Sequence, residues 1–246
     1  EPRRGKTAGA YTTYLESYRS PFVLMSYTGD EYSRGTLIHE FGHFNNYLEM
    51  GTIAEATDVS EIYSQGLELF VSNHYDEYFG EETGYELRYN ALADKLNAFV
   101  QQTYYTAVEQ EVYSLAEEEV TPAAVEDIAA RQAERFGLTD IFYEDLYRYD
   151  WVSVPHIYES PYYTFAYATS ADIAVQLWEI SVTDEQKAVD IYEALVRREE
   201  STDFIENVKA AGLASPFDEG EIQRMAELFR TYLSEDGAGS PLMDAA

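Results

Sequence analysis

Residues 37–47 read LIHEFGHFNNY, and this stretch decides the fold of the N-terminal part of the chain. Apolar side chains recur here at positions i, i+4, i+7 and i+11, a spacing that is typical of an amphipathic α-helix. These side chains are Leu37, Phe41, Phe44 and Leu48. His39 and His43 lie outside that stripe. The sequence therefore predicts a helix with two histidines on a separate face.

This histidine pair is unusual because the whole chain contains only 4 histidines. Side chains at i and i+4 of a helix lie about 5–6 Å apart at their β-carbons, so both imidazole rings can reach one metal ion. Glu40 follows His39 directly and points off the metal axis, where its carboxylate can take a proton from an attacking water. The pattern H-E-x-x-H on a helix predicts bound zinc with Glu40 as the general base. Two solvent-exposed surface histidines are the alternative.

A catalytic zinc site usually has three protein ligands and one open position. An extended motif with Gly at 46 and His at 49 would supply a third histidine, but the sequence has Asn46 and Glu49. The segment DVSEIYSQGLELF, residues 58–70, supplies polar side chains on one helical face. These are Glu61, Ser64, Gln65 and Glu68. Because about ten loop residues separate the two helices, the second can fold back antiparallel and bring Glu61 to the metal.

Four other side chains remain alternatives for the third ligand. They are Glu55 and Asp58 in the connecting loop, Glu68 further along the second helix, and His74. We favour Glu61 and expect Glu68 to accept a hydrogen bond from a ligand ring, which orients that ring toward the metal. An exposed helical acid with no role at the site is the alternative interpretation of Glu68.

The composition limits the classes of partner. The 246 residues include 46 acidic and 16 basic side chains, for a formal net charge of -30 at pH 7. This charge repels phosphate backbones and anionic lipids, so nucleic acid and membrane partners are not expected. No apolar run approaches the roughly 18 residues of a membrane span, no signal peptide is recognisable, and we expect a cytoplasmic location. Without cysteine, zinc ligands must come from His, Asp and Glu.

Two short strands, 10–14 and 22–25, are predicted near the N-terminus. Most of the remaining chain has helical periodicity, roughly at 60–79, 84–113, 121–136, 139–147, 161–181, 184–199 and 218–234. We expect one domain over residues 1–234 and a flexible tail over 235–246. The chain begins EPRRGK instead of with Met, which indicates a processed chain or a fragment.

The motifs TLIHEFGH (36–43) and EIYSQGLE (61–68) together resemble the active site of the thimet oligopeptidase and oligoendopeptidase F family of zinc metallopeptidases. Four further segments resemble the same family. They are RRGKTAGAY (3–11), PFVLMSYTGD (21–30), VPHIYESPYYTFAYATSADIAVQL (154–177) and TDFIENVKAAGLASPFDEGEI (202–222). The resemblance implies a mainly α, zincin-type helical catalytic domain with a small β element near the N-terminus. It also implies that the third zinc ligand is Glu61.

The resemblance further implies hydrolysis of short peptides. The family segment similar to 154–177 carries a His on a flexible loop and Tyr residues on that loop and the next helix. Carried over, His156 and Tyr158 fall on the loop and Tyr167 on the helix, with Tyr163 as a substitute. A Tyr hydroxyl or a His N–H can stabilise the oxyanion of a peptide carbonyl under attack. The alternative for each Tyr is a packed side chain, because the chain has 23 tyrosines.

Two departures from the family pattern bear on function. Asn46 stands where the family often has a further His that is not a ligand, and the linker before Glu61 is several residues shorter. Full-length members also carry a long helical N-terminal half, so a separate N-terminal half or a homo-oligomer is a candidate partner beside the peptide substrate. The competing hypotheses are a zinc-stabilised binding module without catalysis and a zinc hydrolase that acts on a non-peptide amide.

Overall fold

A β-hairpin precedes the helices in the computed structural model, which describes residues 3–6, 9–52, 57–142, 144–197 and 203–233. Strands β1 (Ala10–Leu15) and β2 (Ser20–Met25) pair antiparallel, with Ala10 opposite Met25 and Leu15 opposite Ser20. Ten α-helices follow within the described ranges: α1 (Glu31–Met50), α2 (Thr57–Ser72), α3 (Tyr75–Phe79), α4 (Glu81–Tyr113), α5 (Pro122–Arg135), α6 (Pro155–Glu159), α7 (Tyr163–Thr183), α8 (Glu185–Val196), α9 (Phe204–Ala210) and α10 (Glu221–Tyr232). The predicted fold class, mainly α with a small N-terminal β element, is confirmed.

One predicted helix is wrong. Described residues of the segment 139–147 form turns and the start of a short 3-10 helix, Leu146–Arg148. Glu144 has a φ of 52°, which an α-helix excludes. The carbonyl of Tyr147 accepts a hydrogen bond from the Tyr104 hydroxyl at 2.9 Å, a tertiary contact that ties the end of this segment to α4. The predicted helix 60–79 is divided into α2 and α3, and the short helices α6 and α9 were not predicted.

The described residues form two compact units, of which the first comprises residues up to Leu96 and from Ser170 onward. Its core is built from α2, α7, α8 and α9, with fully buried Ile62, Ile173 and Leu177 among its members. Two tyrosines on α2 and α8 fix these helices by reciprocal bonds. The Tyr63 hydroxyl donates to the Leu195 carbonyl at 2.8 Å, and the Tyr192 hydroxyl donates to the Tyr63 carbonyl at 2.9 Å.

The second unit spans Asn97–Thr169, and its core lies between the C-terminal part of α4 and α5. The buried members of that core are Tyr104, Tyr105, Val108, Ile128, Ala129, Ala133 and Leu138. Buried Glu109 on α4 anchors the start of α7, because its carboxylate accepts hydrogen bonds from the Tyr162 amide at 3.1 Å and the Thr164 hydroxyl at 2.9 Å. The predicted tail 235–246 lies outside the described residues, and the single domain over 1–234 stays a prediction.

Helix α1 buries the face opposite to the one that its apolar stripe suggests. Leu37, Phe41 and Leu48 are exposed, whereas Glu40 and His43 are buried. Amphipathic helices normally turn their apolar stripe inward. Here the polar face is covered because α2 packs against it. The helix itself has ordinary ends, with the Asp30 side chain accepting from the Ser33 amide at 2.8 Å and Gly51 closing the C-terminus.

Gly42 sets the distance between α1 and α2. A β-carbon at this position would lie 2.4 Å from both the Ser64 α-carbon and the Tyr63 carbonyl oxygen. Those are backbone atoms, which cannot move aside as a flexible side chain would. Glycine inside a helix costs about 0.5–1 kcal/mol relative to alanine, so its presence here needs a compensating gain. That gain is the close approach of two helices along one buried polar face.

We therefore expect Gly42→Ala to destabilise the fold by roughly 1–3 kcal/mol, the usual cost of overpacking, despite the better helix propensity of alanine. Gly35→Ala is the matched control on the same helix, because a β-carbon there would meet nothing within 4 Å. It should stabilise the protein by about 0.5–1 kcal/mol. Urea unfolding of both variants measures the two changes. A Gly42→Ala protein as stable as Gly35→Ala would contradict the packing argument.

Candidate metal centre

The two histidines of α1 and one glutamate of α2 converge at a single point. The Nε2 atoms of His39 and His43 lie 3.4 and 3.6 Å from Oε2 of Glu61. Zinc bonds of about 2.0–2.1 Å in a tetrahedron place neighbouring ligand atoms roughly 3.3–3.4 Å apart. Within the described part of the chain, these three side chains are the group of His, Asp or Glu residues close enough to share a metal ion. Their donor atoms and spacing fit zinc.

Further side chains of α2 orient each member of this set. The Nδ1 atom of His39 lies 2.7 Å from Oε1 of Glu68, and Nδ1 of His43 lies 3.1 Å from the Ser60 hydroxyl. Each Nδ1 can thus donate a proton outward, which leaves each Nε2 as the lone-pair nitrogen that faces Glu61. Ser64 donates its hydroxyl to Glu61 Oε2 at 2.9 Å. All three donor atoms are therefore held before any ion binds.

The surroundings of the two rings shift the pKa values of His39 and His43 in opposite directions. Burial, together with the neighbouring His39, lowers the pKa of His43 to about 3. Burial also opposes protonation of His39, but the hydrogen bond and charge of Glu68 outweigh that effect and raise its pKa. Burial would raise the pKa of Glu68, yet Lys95 and His39 together lower it to about 2. In the metal-free protein His43 is neutral, which is the form that binds metals.

Glu40 is buried beside this set without belonging to it. Thr12 on β1 donates its hydroxyl to Glu40 Oε2 at 2.5 Å and also lies 3.0 Å from the Glu40 carbonyl oxygen. One carboxylate oxygen is thus fixed by the hairpin, and Oε1 is the one that Thr12 does not engage. This arrangement suits a proton acceptor that uses one defined oxygen.

The alternatives considered for the third ligand lie elsewhere. His74 is partly exposed and contacts Glu77 at 3.1 Å and Glu185 at 2.8 Å. Asp58 accepts a hydrogen bond from the Val59 amide at 3.0 Å, near the start of α2. Glu68 contacts the far nitrogen of a histidine instead of joining the set, as expected from the sequence. Glu55 lies outside the described residues.

The residues proposed from the segment 154–177 belong to the second unit. His156 lies on α6, so its expected position on a loop is wrong, as is that of Tyr158. The His156 ring stacks on Tyr163 with centroids 4.5 Å apart and meets the edge of Tyr167 at 5.9 Å. Tyr158 does not join them, because its ring is largely exposed and lies 6.1 Å from Trp151. Burial lowers the pKa of His156, which keeps this ring neutral at pH 7.

Sequence reasoning missed four contributors to the site. Ser60, Thr12 and Lys95 leave no signal in the sequence, because their roles depend on which elements pack together. Gly42 does leave a signal, since an isolated glycine inside a strongly helical pattern often marks a close backbone approach.

Similarity to known proteins agrees with this geometry. The sequence profile of Peptidase family M3 matches residues 1–227. This chain belongs to peptidase family M3. The resemblance drawn from its motifs is therefore confirmed, and family membership places it among metallopeptidases. None of the curated protein sequences compared matches the M3 chain significantly.

Solved structures of similar fold are also peptidases by name. A 3.1 Å crystal structure provisionally named oligoendopeptidase F is 27% identical with a TM-score of 0.84, and Pz peptidase A with an inhibitor is 26% identical with a TM-score of 0.84. A provisionally named oligoendopeptidase F from Bacillus anthracis, 22% identical with a TM-score of 0.77, shares the fold. Each alignment covers 96% of the M3 chain, which spans 43% of the first two structures and 41% of the third. Every helix in the described ranges is too short or too polar to cross a lipid bilayer.

We expect Glu61→Gln to weaken zinc binding by more than about 100-fold, because loss of a ligand should cost more than the 10–100-fold typical of an orienting partner. Asp58→Asn is the matched control near the start of the same helix and should leave the affinity unchanged. Competition with a chromophoric chelator gives both dissociation constants. Retained affinity in Glu61→Gln, or loss of metal in Asp58→Asn, would show that the third ligand has been misassigned.

Proposed function

We propose that this chain is the catalytic portion of a zinc-dependent metalloendopeptidase that hydrolyses short peptides. The observation that carries the proposal is the convergence of His39, His43 and Glu61 beside a separately held, buried Glu40. The Nε2 atoms of the histidines and Oε2 of Glu61 would hold the ion. A structural zinc site has no use for a fixed carboxylate beside its ligands, whereas hydrolysis requires one.

A bound zinc ion would supply a Lewis acid that polarises the peptide carbonyl and makes the attacking water more acidic. Glu40 accepts the proton of that water through the oxygen that Thr12 leaves unengaged. As the new C–O bond forms and the C–N bond breaks, Glu40 delivers the proton to the leaving amine nitrogen. The Thr12 hydroxyl engages the other oxygen, so Oε1 is the oxygen proposed for both transfers.

The donors proposed for the oxyanion are carried over from the family resemblance. His156 and Tyr167 are in ring contact, and the neutral imidazole retains one N–H that can donate. Tyr158 was proposed for the same role from the sequence, and its contact with Trp151 gives that proposal less support. Tyr163, which stacks on His156, is the substitute for Tyr167. The substrate class, short peptides, rests on the family.

A second candidate is a catalytically impaired unit that needs a separate N-terminal half, with zinc serving to stabilise a binding module. The observation that favours it is that the chain spans only 43% of the length of the two solved relatives above 25% identity. The fixed Glu40 argues against a purely structural zinc. Absence of nucleic acid and membrane partners and a cytoplasmic location stay predictions from composition.

We expect Glu40→Gln to keep zinc bound but to lower hydrolysis of a quenched fluorescent peptide by about 10²–10⁴-fold, because it removes a proton acceptor and no ligand. The glutamine can still accept the Thr12 hydroxyl, so the fold should persist. Metal content by atomic spectroscopy is the control. Wild-type turnover in this variant would refute the mechanism. A wild-type chain that binds zinc without cleaving the peptide would favour the second candidate and move the test to the longer protein.

Tyr167→Phe and His156→Ala should each lower kcat in the active form of the protein, because each removes a proposed donor to the oxyanion. Losses of roughly 10–1000-fold are expected, with zinc content and thermal stability unchanged. Tyr149→Phe is the control, since Tyr149 is an exposed tyrosine of the same unit. If both variants turn over peptide like wild type, the His156 cluster serves packing and the donor lies elsewhere.

A further inference from the structure

A chain of polar contacts leads from the candidate ligand His39 to a third helix. Glu68 uses Oε1 for the His39 ring at 2.7 Å and Oε2 for the Lys95 ammonium at 2.6 Å. Lys95 lies on α4 and is only 6% exposed. Each oxygen of the carboxylate therefore has one partner, and those partners lie on two different helices.

The burial of Lys95 needs an explanation. Lysine is among the residues least often buried, because its ammonium loses hydration worth several kcal/mol unless a charged partner compensates. Its partner here is Glu68, whose other carboxylate oxygen contacts the ring of the candidate ligand His39. Arg88 lies two turns earlier on α4 and is also buried, but it pairs with Asp76 at 2.5 Å, outside the metal set. The two buried cations of α4 thus differ in their partners: the carboxylate paired with Lys95 also contacts His39, and the carboxylate paired with Arg88 lies outside the candidate metal ligands.

Through these contacts Lys95 restricts the orientation of the Glu68 carboxylate. A carboxylate held at one oxygen can still turn about its own axis, whereas one held at both oxygens cannot. Lys95 fixes Oε2 of Glu68, which fixes the direction from which Oε1 accepts the His39 Nδ1 proton. That bond in turn aims Nε2 of His39 at Glu61. Orientation of a ligand ring by such a partner typically contributes 10–100-fold, about 1.4–2.7 kcal/mol, to metal affinity.

We propose that Lys95 is a positioning residue of the metal centre, which acts through Glu68 to hold the His39 ring in its ligand orientation. The inference rests on the zinc site of the proposed function and extends it to α4. Positioning and electrostatics predict opposite results when Lys95 is removed. Loss of a nearby positive charge would by itself strengthen binding of a cation, whereas loss of orientation weakens it.

The test measures zinc dissociation constants by chelator competition in the full chain. Lys95→Met should raise the constant about 10-fold, and Lys95→Arg, which keeps a cation for Glu68, should recover most of that loss. Arg88→Met is the matched control, since it removes a buried cation from the same helix and should leave zinc affinity within about 2-fold of wild type. Should Lys95→Met fail to fold, Lys95→Gln replaces it, with an expected rise of several-fold.

A double-mutant cycle with Glu68→Gln separates positioning from general damage. Once Glu68 is changed, Lys95→Met should have almost no further effect on zinc affinity, because its route to His39 is gone. Unchanged or tighter binding in Lys95→Met, or additive losses in the cycle, would overturn the proposal. A wild-type chain that binds zinc but cleaves no peptide leaves this result intact while the proposed activity fails. A wild-type chain that binds no zinc overturns both.

Discussion

The close approach of α1 and α2 at Gly42 is the constraint on which the metal centre depends. Because no β-carbon separates the helices there, the backbone of Ser64 lies against α1 within one turn of both histidines. Glu61 then lies beside the Nε2 atoms of both histidines, and Glu68 lies beside Nδ1 of His39. With wider separation the carboxylates of Glu61 and Glu68 would not reach the rings.

Helix α2 supplies almost every partner of the histidine pair. Its contributions, Ser60, Glu61, Ser64 and Glu68, occur at intervals of one, three and four residues and so lie along one face. This concentration explains why a polar surface is buried in a helical protein. The opposite face of α2 joins the apolar core through residues such as Ile62 and Phe70. One helix therefore anchors the site to the fold and also orients its donor atoms.

The distribution of charge in the site is consistent with a bound cation. Glu40 and Glu61 are both buried, Glu68 contacts the outer nitrogen of His39, and the Lys95 ammonium contacts Glu68. Burying several carboxylates is costly unless positive charge offsets them. A divalent ion at the Nε2 and Oε2 atoms would complete that compensation. The net charge of -30 is a property of the whole chain and does not by itself identify this location.

The sequence by itself determined the local features, because they depend on residues close together in the chain. Helical spacing of His39 and His43, the adjacent Glu40, the hairpin and most helices follow from periodicity and motif. The short connection also favoured Glu61 as the α2 side chain nearest the histidines, while other acids and His74 stayed alternatives for the third ligand. Tertiary structure alone decided which face of α1 is buried, since the apolar stripe indicated the wrong one. It likewise brought Thr12 to Glu40 and Lys95 to Glu68, contacts 28 and 27 residues apart in the chain that depend on how separate elements pack and leave no local pattern.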